Sequence, residues 1–302
     1  MQMKEMFYTT YLKKRYYRII ESLIKKVLRF KNNSKNNTLK KTIQSAIYYT
    51  TNKNKILFAN NKDIKYLLSS SDWISLNLFI DEGFDYKILT KAIKLLGKKN
   101  SKLTLINIGA HIGSTCIPAI KKNNFKNLIA FEPTKRTFNL LKANILLNEI
   151  DDKAQVYNLA ISNKKKTNLH LVTRLKGNTG SNRIIKNKQK NSEIVKSDVL
   201  DNYTYNLNKN NCLIFIDAEG HEPNIFLGAK KTIKKKIPIV FEFYPALCGK
   251  NWIKNYDLVF KNYRFFYNLH GKNRKEKFNV IEIKKLYNHY LKNNNYTDIL
   301  IK

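Results

Sequence analysis

Three short stretches of this 302-residue sequence combine residue types that could do chemistry. The first, LTLINIGAHIGST (residues 103–115), reads as an apolar strand running into a glycine turn and then a helix. Gly109 and Gly113 would let backbone approach a ligand closely, and the free N–H groups of the following helix suit a polar or anionic group. The turn departs from the full dinucleotide fingerprint, and no Gly-Lys-Ser/Thr follows it, which counts against nucleoside triphosphate hydrolysis. In the second stretch, AFEPTKRTF, Glu132 ends the next strand, where a carboxylate can accept hydrogen bonds from both hydroxyls of a ribose. An acid in that place could also cap the next helix, for which Thr134 is equally available. Glycine turn and acid together point to a ribose-bearing cofactor. The third stretch, LIFIDAEGHEPNIFLGA (residues 213–229), delivers Asp217, Glu219, His221 and Glu222 into a turn bent at Gly220. Acids directly after a hydrophobic strand are costly to desolvate unless they have partners or a task. Capping of a helix N-terminus accounts for Glu222 and poorly for Asp217.

The elements that must position these residues alternate in type. Short apolar runs at 103–108, 128–131, 155–160, 212–216 and 237–241 are separated by helical stretches, including 135–147 and 223–235. Strands buried on both faces and joined by crossover helices predict an α/β fold, a doubly wound, mainly parallel sheet whose ligands bind at the strands' carboxyl ends. A short strand at 55–60 and a helix at 85–96 lead into it. Residues 168–203 break the alternation with two strands, 170–173 and 193–199, around Gly177 and Gly180, and read as an inserted hairpin or flap. The tail supplies closing strands at 264–269, 278–283 and 298–301. The expected organisation is a basic amphipathic helix and linker over 1–41, a lead-in segment packing on the core over 42–100, and the main domain over 101–302.

Between residues 11 and 30 the apolar side chains Tyr16, Ile19, Ile20, Leu23, Ile24, Val27 and Leu28 fall on one helical face, with seven Lys and Arg on much of the rest. Such a helix can pack on its own domain or make peripheral contact with an anionic membrane. The formal charge of +35 would ordinarily suggest nucleic acid, but Lys, Asn and Ile are abundant in every segment, core strands included, so much of it reads as compositional bias. Cys116, Cys212 and Cys248 lack the paired spacing of a zinc or redox site and read as buried apolar residues in a reducing compartment. With no apolar run approaching the ~18 residues that span a bilayer and no secretion-signal core, a cytoplasmic protein is expected.

Taken in order, INIGAHIG, FEP, NILLN (144–148), VLD (199–201) and IDAEGHE resemble the FkbM family of methyltransferases over roughly residues 85–245. Asn107 stands where the family pattern has Asp, and His111 where it has Asn. The resemblance implies a class I, Rossmann-like methyltransferase fold, S-adenosylmethionine as cofactor, and O-methyl transfer to a hydroxyl of a sugar, glycan or small metabolite. It implies Asn107, Gly109, Ala110 and Gly113 on the methionine and ribose side, Glu132 on the ribose, and Ala160, Ile161 and Ser162 around the adenine. Asp217, Glu219 and His221 would face the reacting end, with either His221 or Asp217 as the base that takes the hydroxyl proton. A metal-free reaction is expected; a divalent metal on Asp217 and nearby acids is the alternative. Two rivals stand beside this reading. One is a nucleic-acid methyltransferase, favoured by charge but lacking an Asn/Asp-Pro-Pro-aromatic tetrad or a cysteine placed to attack cytosine. The other is a non-catalytic cofactor-binding or membrane-associated scaffold.

Overall fold

A computed structural model describes residues 47–48, 55–61, 63–70, 72–81, 86–97, 103–122, 124–175, 177–249, 252–271 and 274–302. The basic helix and linker expected over 1–41 lie outside these. The chain divides into two units, Met1–Lys55 and Ile56–Lys302, and the second holds every element below.

That unit opens with an antiparallel hairpin, β1 (Ile56–Asn61) and β2 (Ile64–Ser69), and two helices, α1 (Trp73–Asp81) and α2 (Tyr86–Leu96). The alternating part follows: β3 (Thr104–Ile108), α3 (Cys116–Lys121), β4 (Asn127–Phe131), α4 (Lys135–Leu147) and β5 (Ala154–Tyr157). A short β6 (Ala160–Ile161) then leads into the insertion, formed by β7 (Asn168–Leu175), β8 (Asn178–Ile185) and β9 (Glu193–Asp198). The chain returns through β10 (Cys212–Ile216), α5 (Glu222–Leu227), α6 (Lys230–Lys234), β11 (Ile239–Phe243) and α7 (Trp252–Asn262). It closes with β12 (Phe265–Asn268), β13 (Lys275–Lys277), α8 (Val280–Lys292) and β14 (Thr297–Ile301).

The main sheet has eight strands in the order β13-β12-β14-β11-β10-β3-β4-β5. β5, β4, β3, β10 and β11 run parallel, and β14 returns antiparallel beside β11. Every residue of β3, β10, β11 and β14 is buried because both faces are covered. Leu105, Leu213, Phe215, Val240 and Leu300 pack with α2, α3 and α4 on one side. Ile106, Ile108, Ile214, Ile216, Phe241, Ile299 and Ile301 pack with α5, α6, α7 and α8 on the other. This is the doubly wound arrangement that the apolar runs predict.

Several elements differ from the sequence reading. The run at 155–160 splits: β5 stays in the main sheet, while β6 leaves to pair in parallel with β9 in a second sheet ordered β6-β9-β7-β8. The insertion therefore has a strand the sequence did not suggest, β8, whose NTGSNRII lacks an alternating apolar pattern. The helix expected over 223–235 is broken at Gly228, where a Cβ would lie 2.0 Å from the Ser162 carbonyl oxygen. Residues 278–283, read as a strand, instead start α8, because the Asn279 side chain accepts from the Glu282 N–H at 2.9 Å and caps the helix.

Candidate active site

The register of the parallel strands sets the site. Phe131, Ile108, Ile216 and Phe241 are level across β4, β3, β10 and β11, so the next residue of each, Glu132, Gly109, Asp217 and Glu242, forms one row at the carboxyl edge. Asp298 of β14 pairs with Glu242 and extends the row. Backbone bonds lace these ends together: the Gly109 and Ala110 N–H groups donate to the Phe131 carbonyl at 3.0 and 2.9 Å, and the Asp217 N–H donates to that of Ile108 at 3.0 Å. Gly109 has φ +79°, and a Cβ there would lie 1.8 Å from the Asp217 carbonyl oxygen, so only glycine lets β3 and β10 meet this way.

A cavity opens above Gly109 and Glu132. Its apolar wall includes Pro133, Leu159, Ala160, Ile161, Leu171 and Ile184, and its far side is formed by Asp217, Glu219 and His221. Asn107, Ala110, Gly113 and Ser162 are not among its lining residues and support it from the buried side. Gly113 makes room for the Ile117 and Leu141 side chains. Asn107 is fully buried in mid-strand, and its Oδ1 has no hydrogen-bond partner among the described residues.

Glu132 is held at both oxygens. Oε2 accepts from the His111 N–H at 3.0 Å and Oε1 from the Thr134 N–H at 2.9 Å, which leaves one lone-pair direction on each oxygen for a ligand. Burial pushes this carboxyl up to about 7, although the two N–H groups oppose the shift. His111, at φ +51°, is itself fixed by the insertion. The Thr179 hydroxyl donates to Asp72 Oδ1 at 2.6 Å, so in its 2.7 Å contact with His111 Nε2 the ring must be the donor. Asp72 Oδ1 also accepts the Thr179 N–H at 2.8 Å, and the Trp73 N–H donates to the Gly177 carbonyl. The tip of the β7–β8 hairpin is thus fastened to the start of α1 and, through His111, to the Glu132 clamp. Thr179→Val should leave the ring N–H unpaired in a buried place, a loss of about 1–3 kcal/mol. For a domain of this size that lowers the unfolding midpoint by roughly 2–10 °C; differential scanning calorimetry of the full chain checks it, and Thr179→Ser should recover most of the loss.

The IDAEGHE turn separates into distinct roles. Glu222 is buried at the first position of α5, and its Oε1 accepts the Ala218 N–H at 2.9 Å, which ties the turn ahead of the helix. His221 is buried at the start of α5, and burial alone lowers its imidazole to about 4, so it is neutral at pH 7. Both ring nitrogens are engaged, Nε2 with Ser162 Oγ at 2.9 Å and Nδ1 with Asn224 Nδ2 at 3.3 Å. Burial raises the half-buried Glu219 above its ordinary value, while Arg174 and Arg183 pull it back.

Asp217 and Glu219 also line a second, larger cavity of about 670 Å³, together with Gly180, Glu242, Tyr244, His270, Tyr296 and Asp298. The two cavities thus meet along Gly180, Asp217 and Glu219. Glu242 and Asp298 are the residues that sequence reasoning missed. Glu242 follows an apolar strand as Asp217 does, and that parallel was the available signal. Asp298 lies at the start of an antiparallel strand, where nothing local marks it. Among the described residues no group of three or more His, Cys, Asp or Glu is arranged to hold a metal ion, and no helix is long and apolar enough to cross a membrane. The three cysteines are buried.

Residues 107–267 match the family model of the methyltransferase FkbM domain. The chain belongs to the FkbM methyltransferase family. The matched stretch runs from β3 to β12 and so contains the whole of the strand-end row except Asp298. Solved structures similar to this FkbM-family chain include M. jannaschii TYW2 in complex with AdoMet, at 11% identity over 83% of this chain and 87% of that one, with a TM-score of 0.39. An O-methyltransferase from Bacillus cereus in complex with SAH is 12% identical over 71% and 80%, with a TM-score of 0.37. A precorrin-6y C5,15-methyltransferase from Geobacter metallireducens is 10% identical over 70% and 85%, with a TM-score of 0.37. No curated protein matches the chain.

Proposed function

We propose that this chain is an S-adenosylmethionine-dependent O-methyltransferase, with the cofactor in the cavity above Gly109 and Glu132 and a hydroxyl of a sugar, glycan or small metabolite reaching it from the second cavity. The observation that carries this reading is the shared boundary: Asp217 and Glu219 line both cavities, so a group in each would meet beside two carboxylates. The chain's own residues suit the cofactor. Gly109 lines the cavity and lets the ends of β3 and β10 meet beneath it, Glu132 offers two fixed acceptors to a ribose diol, and Leu159, Ala160 and Ile161 give an apolar face to an adenine. S-adenosylmethionine, when bound, supplies an electrophilic methyl group on sulfur. The protein's part is to align the acceptor and take its proton. We assign the proton to Asp217, because it stands on the boundary of the two cavities, whereas both ring nitrogens of His221 are taken up in hydrogen bonds. His221 then acts as a wall, and Glu219, braced by Arg174 and Arg183, positions the acceptor.

The test is calorimetric titration of the full chain with S-adenosylhomocysteine. To accept both ribose hydroxyls Glu132 must be ionised, and burial holds its carboxyl near 7, so protonation competes with binding as the pH falls through that value. The dissociation constant should rise roughly fivefold from pH 7 to pH 6 and further below. Glu132→Gln should lose one charge-assisted bond of about 1.5–3 kcal/mol, a roughly 10- to 100-fold weakening at pH 8, and should flatten the pH dependence. Absence of binding by the folded wild-type chain would sink the reading. A nucleic-acid acceptor is the second reading, favoured by the +35 charge. The four carboxylates of the second cavity oppose it by repelling phosphate, and methyl incorporation into RNA or DNA at low salt would support it.

A further inference from the structure

The second cavity has a sign opposite to that of the chain. Asp217, Glu219, Glu242 and Asp298 line it, and Glu222 lies close enough to act on Glu242, in a protein whose formal charge is +35. Positive groups share this space, Lys87, Arg174 and His270 among its lining, and those with a named partner serve two of the acids. Arg174 and Arg183 act on Glu219, and His270 Nε2 contacts Asp298 Oδ2 at 2.8 Å, while Lys87 lines the outer wall. The groups that act on Glu242 are other acids, Asp217, Glu222, Glu219 and Asp298. Glu242 is only 8% exposed, and its Oε2 has no hydrogen-bond partner among the described residues. A buried carboxylate in that condition is unfavourable unless a ligand completes it. Burial and the surrounding acids together push its carboxyl well above the usual range, so it holds its proton until a cation comes beside it. Beside it, the rings of Tyr244 and Tyr296 lie 5.9 Å apart and tilted by 41°, and both line the same space. Aromatic faces and a desolvated carboxylate are the two elements that bind an ammonium group in preference to a neutral one.

We propose that the second cavity takes a methyl acceptor that carries a primary ammonium group, of the amino-sugar class, with the ammonium seated against Glu242 and the hydroxyl to be methylated directed at Asp217. The inference rests on the proposed methyl-transfer function and narrows its substrate class. A neutral polyol would leave the excess of carboxylates uncompensated, and a phosphorylated acceptor would add to it. At about 670 Å³ the cavity falls within the roughly 300–1,000 Å³ that encloses small-molecule ligands, so a disaccharide is a suitable probe.

The experiment is calorimetric titration of the full chain with the disaccharide of glucosamine and with its di-N-acetylated form, which loses both charges and gains two acetyl groups, each with and without saturating S-adenosylhomocysteine. The free amine should bind at least ~10-fold more tightly than the acetylated form, and Glu242→Gln should remove the difference while leaving the weak acetylated affinity unchanged. Equal or tighter binding of the acetylated sugar overturns the proposal, as does a preference that survives in Glu242→Gln. Binding of magnesium or manganese ions alone, lost in Glu242→Gln, also overturns it by making the acids a metal site. Should the variant not fold, the two sugars on the unaltered chain still decide. The S-adenosylhomocysteine titration reports separately on the methyl-transfer reading, so the two can fail independently.

Discussion

Gly109→Ala is expected to abolish S-adenosylhomocysteine binding and to lower the thermal unfolding midpoint by roughly 5–15 °C. The new methyl carbon would lie 1.8 Å from the Asp217 carbonyl oxygen, which is backbone and cannot turn aside. β3 and β10 are paired over five successive residues and locked at this end by the Asp217 N–H donating to Ile108, so relief requires the strand ends to part. Overpacking of this kind costs about 1–3 kcal/mol, and the φ of +79° adds about 1–2 kcal/mol for a residue with a side chain. Parting the ends would also shift Glu132 relative to Asp217, because Gly109 and Ala110 donate to the carbonyl just before Glu132. Gly97→Ala is the matched control. Its φ is +64°, with nothing within 4 Å of the added carbon, so it carries the conformational penalty without the collision and should leave binding unchanged. Affinity for S-adenosylhomocysteine retained within threefold in Gly109→Ala would show that the cofactor does not sit over this strand junction.

What could be read in the sequence was whatever depends on near neighbours along the chain. Buried parallel strands such as LINI and LIFI are apolar throughout, and the residue that ends such a run stands at the ligand edge, which made Gly109, Glu132 and Asp217 visible before any coordinates. Glu242 obeys the same rule after IVF, but the strand continues through Phe243, and no glycine turn or second acid follows to mark the place. The Asn279 and Glu282 spacing of a capped helix is present too, but FNVIEI is rich in β-branched and aromatic residues, which favour a strand. Other features had no local trace. The contact of Asp72 with Thr179 joins residues 107 apart, and the row that unites Glu132 with Asp298 exists only once the register is fixed. The second cavity is made of such long-range meetings, so its acidity could not be read from the chain, whose overall composition is strongly basic.

Asp217→Asn is expected to reduce turnover by roughly 10²- to 10⁴-fold, the range over which a positioned base contributes. Its effect on cofactor affinity should be small. The parts of Asp217 that shape the cofactor cavity are its carbonyl oxygen, packed against Gly109, and its N–H, bonded to Ile108, and asparagine keeps both. The amide nitrogen of the variant cannot take a proton, so the loss should fall on kcat measured as S-adenosylhomocysteine release, with the affinity for that product within about threefold of wild type. His221→Gln separates the two candidate bases. An imidazole bonded on both sides has no lone pair open to the acceptor's proton, so its replacement should cost turnover no more than about tenfold through the altered cavity wall. If the large loss appeared in His221→Gln and Asp217→Asn remained within tenfold of wild type, the proton would have to leave toward α5, and the acceptor would approach from the Ser162 side of the turn instead of from the acidic cavity.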